Sequence, residues 1–150
     1  MPEPLIVARR GALAEFTLNR PQALNALTWD MCLAIEAALD AWRDDPEVAL
    51  VMIDGAGDRA FCAGGDVQAL HKSAVETPGG PCDYAETFFT REYRMNYTLH
   101  TYPKPVICWG SGIVMGGGMG LMNGCRRAGI GGQGLVNADT FVRMPAVFGG

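Results

Sequence analysis

Two glycine-rich turns constrain this chain more than any other feature: Arg59-Ala-Phe-Cys-Ala-Gly-Gly-Asp66 and Gly110-Ser-Gly-Ile-Val-Met-Gly-Gly-Gly-Met-Gly-Leu121. Each follows a short apolar run of strand character, Val48 to Ile53 and Pro105 to Trp109, and each opens a segment of helical character. Glycine lacks a Cβ and tolerates positive φ, so such a turn lets a ligand approach the main chain. The first N–H groups of the helix that follows have no partner within that helix. Two turns of one kind therefore predict two sets of free backbone donors. Aimed at one point, they would stabilise an oxyanion.

The stretches around the turns support an α/β fold. Leu5–Ala8 and Ala12–Leu18 read as two strands joined at Gly11, a hairpin that Asn19-Arg-Pro21 ends. Thr28 suits an N-cap, and Met31, Ile35, Leu39 and Trp42 form one helical stripe that stops at Asp44-Asp45-Pro46. Val48–Ile53 then reads as a buried strand. Asp66 caps a helix over Val67–Lys72, 76–81 reads as a mobile surface loop, and Asp83 to about Thr101 reads as a long helix. Val106–Trp109 is a strand, and a last helix runs through Asn123. Beyond Cys125 periodicity is weak; only Leu135-Val136 and Phe141-Val142 hint at strands. The order of elements predicts an α/β architecture.

Composition excludes several classes. A net charge of −4 over 150 residues gives no basic face of the kind nucleic acid requires. Five cysteines without a C-x-x-C or a His pair suit a reduced compartment and argue against a zinc site, so no metal is expected. The first residues resemble neither a signal nor a transit peptide, no apolar run is long enough to span a membrane, and the reading is cytoplasmic. A serine hydrolase is disfavoured because Trp109-Gly-Ser-Gly-Ile113 fails the G-x-S-x-G spacing. A dinucleotide oxidoreductase is a stronger rival, since Gly110-x-Gly112 begins a G-x-G-x-x-G pattern. Met115 breaks it.

Ala60-Phe-Cys-Ala-Gly-Gly-Asp66, Lys104-Pro105 and Met115-Gly-Gly-Gly118, with Asn19-Arg-Pro and Leu24-Asn-Ala-Leu-Thr28 upstream, resemble the crotonase (enoyl-CoA hydratase/isomerase) superfamily over roughly residues 5–125. Phe88-Phe89, Glu92-Tyr93 and Gly-Gly-Gly-Met-Gly-Leu121 resemble its 3-hydroxyisobutyryl-CoA hydrolase branch. The resemblance implies a ββα-type spiral and hydrolysis of a short 3-hydroxyacyl-CoA, as in valine catabolism. It implies no cofactor beyond the CoA of the substrate, and it allows a homo-oligomer. It assigns the oxyanion donors to the N–H groups of Gly65 and Gly117. Glu92, Gly64 and Gly116 would contact the substrate, and Asn25-Ala26-Leu27 with Ala63 and Asp66 would form the backbone wall that holds the adenine and pantetheine parts of CoA.

Glu92 also stands out without the resemblance. Helical spacing places it between Phe88, Met95 and Leu99 on the apolar face, where a carboxylate needs a partner or a wet cavity. Gly120 stands where enoyl-CoA hydratases carry a catalytic Glu, which argues against the two-glutamate hydration mechanism. His71, His100 and Cys62 read as non-catalytic.

One departure is downstream. The resembled branch has a Met-Pro-Glu segment followed by a further Asp, whereas this chain has Met144-Pro-Ala146. Residues 1–125 are therefore read as the N-terminal part of a crotonase-like domain, and 126–150 as a divergent Gly-rich tail. Two explanations stand: a shifted or shortened reading frame with an inactive product, or a short relative that binds acyl-CoA without turning it over. Enoyl-CoA hydratase/isomerase activity is a further alternative.

Overall fold

The structure is a computed structural model that describes residues 2–80, 82–125 and 127–131. Among them one sheet has five strands: β1 (Leu5–Arg10), β2 (Leu13–Leu18), β3 (Leu50–Gly55), β5 (Val106–Ser111) and β7 (Arg127–Gly131), in the spatial order β1-β2-β3-β5-β7. β1 and β2 form the antiparallel hairpin expected around Gly11, whose φ of +61° suits a glycine. The other neighbours pair in parallel, which requires a crossover between them.

Helix α1 (Trp29–Arg43) supplies the crossover from β2 to β3. The Thr28 side chain accepts from the Met31 N–H, as an N-cap should. Its buried stripe of Met31, Cys32, Ile35, Leu39 and Trp42 packs on the sheet with Ala14, Phe16, Val51 and Ile53. The far end of α1 is closed by an unexpected residue: the Lys104 ammonium donates to the carbonyls of Trp42 and Asp45. A cation there satisfies two carbonyls and complements the negative end of the helix.

Three features depart from the sequence expectations. Two short strands, β4 (Ala60–Cys62) and β6 (Ile113–Val114), pair in parallel as a separate small sheet immediately before the glycine turns. Runs this short carry no readable periodicity. Gly110 belongs to β5 rather than to a turn, and a Cβ there would meet the Met122 methyl at 2.3 Å. The helix opens only at Gly117, so Gly110-x-Gly112 is not a strand-to-helix dinucleotide turn. Third, 127–131, which show little sequence pattern, form strand β7 beside β5. The stretches at 135–136 and 141–142, Ala146 and the rest of 132–150 lie outside the described residues.

Helices α2 (Val67–Glu76), α3 (Asp83–His100) and α4 (Gly117–Gly124) follow, and α3 packs on both α1 and α4. α3 buries Phe88, Glu92, Met95 and Leu99, the stripe its periodicity predicts. Among the described residues no helix is long and apolar enough to cross a membrane.

Candidate functional site

The small sheet aims both glycine turns at one place. β4 and β6 pair at Ala60–Ile113 and Cys62–Val114, and the chain leaves each strand directly into Ala63-Gly-Gly65 or Met115-Gly-Gly117. Gly64 adopts φ +112° and Gly116 φ +53°, conformations that suit glycine. The turns are in contact: a Cβ on Gly64 would lie 3.2 Å from the Gly117 nitrogen, and one on Gly117 would lie 3.3 Å from the Gly65 nitrogen. Gly118 is equally confined, since its Cβ would meet the Cys62 carbonyl oxygen at 2.1 Å. Close approach of the turns thus explains glycine at these positions without invoking any ligand.

The fate of the N–H groups does bear on a ligand. Gly118 and Gly120 donate to the carbonyls of Met115 and Gly116. The Gly64 N–H meets the Cys62 sulfur at 3.4 Å. Neither Gly65 nor Gly117 donates a hydrogen bond within the described residues. Gly117 is the first residue of α4, where an N–H has no helical acceptor. Two unsatisfied donors therefore adjoin each other at the mouth of a helix. Both line a cavity of about 360 Å³ together with Ala63, Gly64 and Gly116.

Glu92 closes the same cavity. It is 4% exposed, and its Oε1 lies 2.1 Å from the point a Gly117 Cβ would occupy. Its carboxylate has neither an ion-pair nor a hydrogen-bond partner among the described residues, and burial pushes its pKa up. A carboxyl group held this way can accept or deliver a proton nearer neutrality than an exposed one. Asn96, one helical turn further along α3, lines the cavity too and was not singled out from the sequence. Its i, i+4 spacing from Glu92 is the signal that could have found it.

Ala26 and Asp66 lie outside this lining, and the reason is a separate network. Arg20 donates to the Ala26 carbonyl at 2.7 Å and pairs with Asp66 at 3.0 Å. The other Asp66 oxygen caps α2 by accepting from Gln68 and Ala69. Asp66 is thus occupied in fixing the first turn. Asn25, read from the sequence as part of a binding wall, is fully buried. Its side chain accepts from the Arg20 N–H and donates to the carbonyls of Ala56 and Ala60. Cys62 is buried, with its thiol pushed up to about 12 chiefly by desolvation, which disfavours the nucleophilic thiolate at neutral pH. His71 and His100 are exposed.

A second depression of about 460 Å³ lies between the starts of α1 and α3, lined by Trp29, Asp30, Asp83 and Tyr84. It contains none of the free turn donors and presents the carboxylates of Asp30 and Asp83, so it suits an electron-rich oxygen less well.

Comparison with known proteins bears on the family and the fold. Residues 13–130 match the family model for enoyl-CoA hydratase/isomerase. The chain is 44% identical over 117 residues to the 3-hydroxyisobutyryl-CoA hydrolase, mitochondrial, of Xenopus tropicalis, covering 77% of this chain and 29% of that protein. It is 40% identical over 119 residues to the protein of the same name from Homo sapiens, covering 79% and 30% respectively. The chain therefore spans under a third of the length of these relatives. Among solved structures, an enoyl-CoA hydratase from Rhodobacter sphaeroides matches with TM-score 0.80 and 43% identity, over 86% of this chain and 37% of that one. A carnitinyl-CoA dehydratase from Mycobacterium thermoresistibile matches with TM-score 0.81 and 39% identity over the same shares. The fold is thus the crotonase fold. The cytoplasmic reading is overturned, because the curated relatives are named as mitochondrial. By the extent of the family match, this chain belongs to the enoyl-CoA hydratase/isomerase family.

Proposed function

We propose that the cavity between the two glycine turns binds the thioester of a short acyl-CoA, with its carbonyl oxygen received by the N–H groups of Gly65 and Gly117. The observation that carries this reading is the pair of neighbouring donors, unsatisfied within the described residues and facing a cavity. Backbone donors fixed before the ligand arrives stabilise charge on a carbonyl oxygen without reorganising, an effect worth about 3 kcal/mol for a single donor. CoA enters as part of the substrate, and the chemistry of these residues calls for no further cofactor.

The reaction class proposed is thioester hydrolysis of a 3-hydroxyacyl-CoA of the 3-hydroxyisobutyryl type, a step of valine catabolism. Similarity to proteins of that name supports it. So does Gly120, which leaves no second carboxylate on α4 for hydration. In this reading water attacks the polarised carbonyl carbon. Glu92, unpaired and beside Gly117, holds that water or the substrate hydroxyl. The tetrahedral oxyanion remains on the two N–H groups until the C–S bond breaks and the leaving CoA thiolate takes up the proton that the attacking water gave up.

Ala146, in place of the acid of the resembled Met-Pro-Glu segment, favours a second reading in which the chain binds acyl-CoA without cleaving it. One experiment separates the two. The full chain is titrated with 3-hydroxyisobutyryl-CoA in a calorimeter, and the release of free thiol is followed in parallel. Saturable binding with thiol release supports the hydrolase, and saturable binding without release supports the binding protein. Absence of binding would overturn both.

A further inference from the structure

We propose that Asn96 is a specificity-determining residue of this cavity, selecting acyl-CoA thioesters that carry a hydroxyl on C3. This inference rests on the acyl-CoA reading above and deepens it. Glu92 and Asn96 are four apart on α3, and each sets its polar tip into a notch left by a glycine of α4. Glu92 Oε1 is 2.1 Å from the Cβ position of Gly117, and Asn96 Nδ2 is 2.8 Å from that of Gly120. A side chain at 120 would occupy the space the amide fills. The amide therefore stands where a second carboxylate on α4 would begin.

Its bonding state points to a ligand. Asn96 Oδ1 is shielded from solvent yet accepts no hydrogen bond among the described residues. A buried acceptor left unpaired is costly, and such groups in native structures call for an explanation. The neighbouring Glu92 cannot supply one when ionised, because a carboxylate has no proton to donate. That oxygen is also sealed from the cavity, so the atom left to a ligand is the amide Nδ2, which lies nearest Gly120 on the cavity wall and can donate to the oxygen of an entering hydroxyl. The distance is also suitable. Gly117 and Gly120 are three residues apart, a rise of about 4.5 Å along the helix. With the carbonyl at the start of α4, the acyl carbons extend one turn deeper and bring a 3-hydroxyl to the amide. If the amide oxygen and nitrogen are interchanged, the oxygen takes that place and accepts from the hydroxyl.

The test compares two non-hydrolysable ligands in which a methylene replaces the thioester sulfur: the analogues of 3-hydroxyisobutyryl-CoA and of isobutyryl-CoA. Their Kd values are measured by calorimetry for the full chain and for Asn96→Ala and Asn96→Leu, the second conserving volume. The native chain is expected to prefer the hydroxylated ligand by about tenfold. Both variants should abolish that preference while their Kd for the isobutyryl analogue stays within about twofold. If the native chain binds acyl analogues but the variants keep the preference, or if both affinities fall together, Asn96 is not selective and the inference fails alone. If neither variant folds, Asn96 is a packing residue and the inference likewise fails. If the native chain binds neither analogue, the acyl-CoA reading fails and takes the inference with it.

Discussion

Gly117→Ala in combination with Glu92→Ala tests the packing on which the site depends. An alanine methyl at 117 would sit 2.1 Å from Glu92 Oε1, where ordinary contact begins at 3.4 Å, so the carboxylate must yield by more than an ångström. It is the far end of a flexible side chain that lines the cavity, so it can turn partly into that space, at the loss of its packed position. With that relief the overpacking costs about 1 kcal/mol, the low end of its usual range. The backbone at 117 is not in the left-handed region, so no conformational penalty adds to the clash. Removing the Glu92 side chain empties the space the methyl needs, and the same Gly117→Ala change should then cost at most about 0.5 kcal/mol, helped by the higher helix propensity of alanine. The two substitutions should therefore couple by about 1 kcal/mol, measured as midpoints of urea unfolding for the four proteins of the cycle. Additivity within about 0.5 kcal/mol would refute the contact between the Glu92 carboxylate and the second glycine turn.

Two further predictions concern stability. Burial raises the Glu92 pKa in the folded state, so at pH values between its ordinary and its raised value the folded chain holds a proton that the unfolded chain has lost. Stability should fall as pH rises through that interval, and Glu92→Gln should remove this part of the slope in unfolding midpoints taken from acid to neutral pH; an unchanged slope would contradict the buried carboxylate. Asn25→Ala should destabilise by about 3 kcal/mol or more, because it leaves the Ala56 and Ala60 carbonyls short of a donor and puts alanine at a φ of +54°. A loss in thermal unfolding below about 1 kcal/mol would show that Asn25 does not hold the turn in place.

The larger elements were legible because their patterns are long. The stripe on α1, the Thr28 and Asp66 caps and the place of Glu92 on α3 follow from helical spacing and cap chemistry alone. The glycine turns were legible as turns. Their mutual contact was not, because it depends on β4 and β6, and strands of three and two residues leave no period to read. The functions of Lys104 and Asn25 depend on partners distant in sequence. Asn96 went unread because an amide at the edge of an apolar stripe looks like a solvated residue until α4 is seen to cover it. Asp66 shows the reverse case: the residue matched a motif, but its carboxylate is engaged by Arg20 and the start of α2.

The central claim, that the Gly65 and Gly117 N–H groups receive a thioester carbonyl, is tested most directly by replacing one of them. Glycolic acid at position 117 exchanges the N–H for an ester oxygen and adds no atom near Glu92, whereas proline would crowd it. The carbonyl stretch of a ¹³C-labelled isobutyryl-CoA thioester is then recorded by difference infrared spectroscopy, free and bound to each protein. The account predicts a lowered frequency on the native chain, a return toward the free value on the ester variant, and binding weakened by about tenfold. An unshifted carbonyl on the native chain, or an equal shift on both proteins, would contradict it.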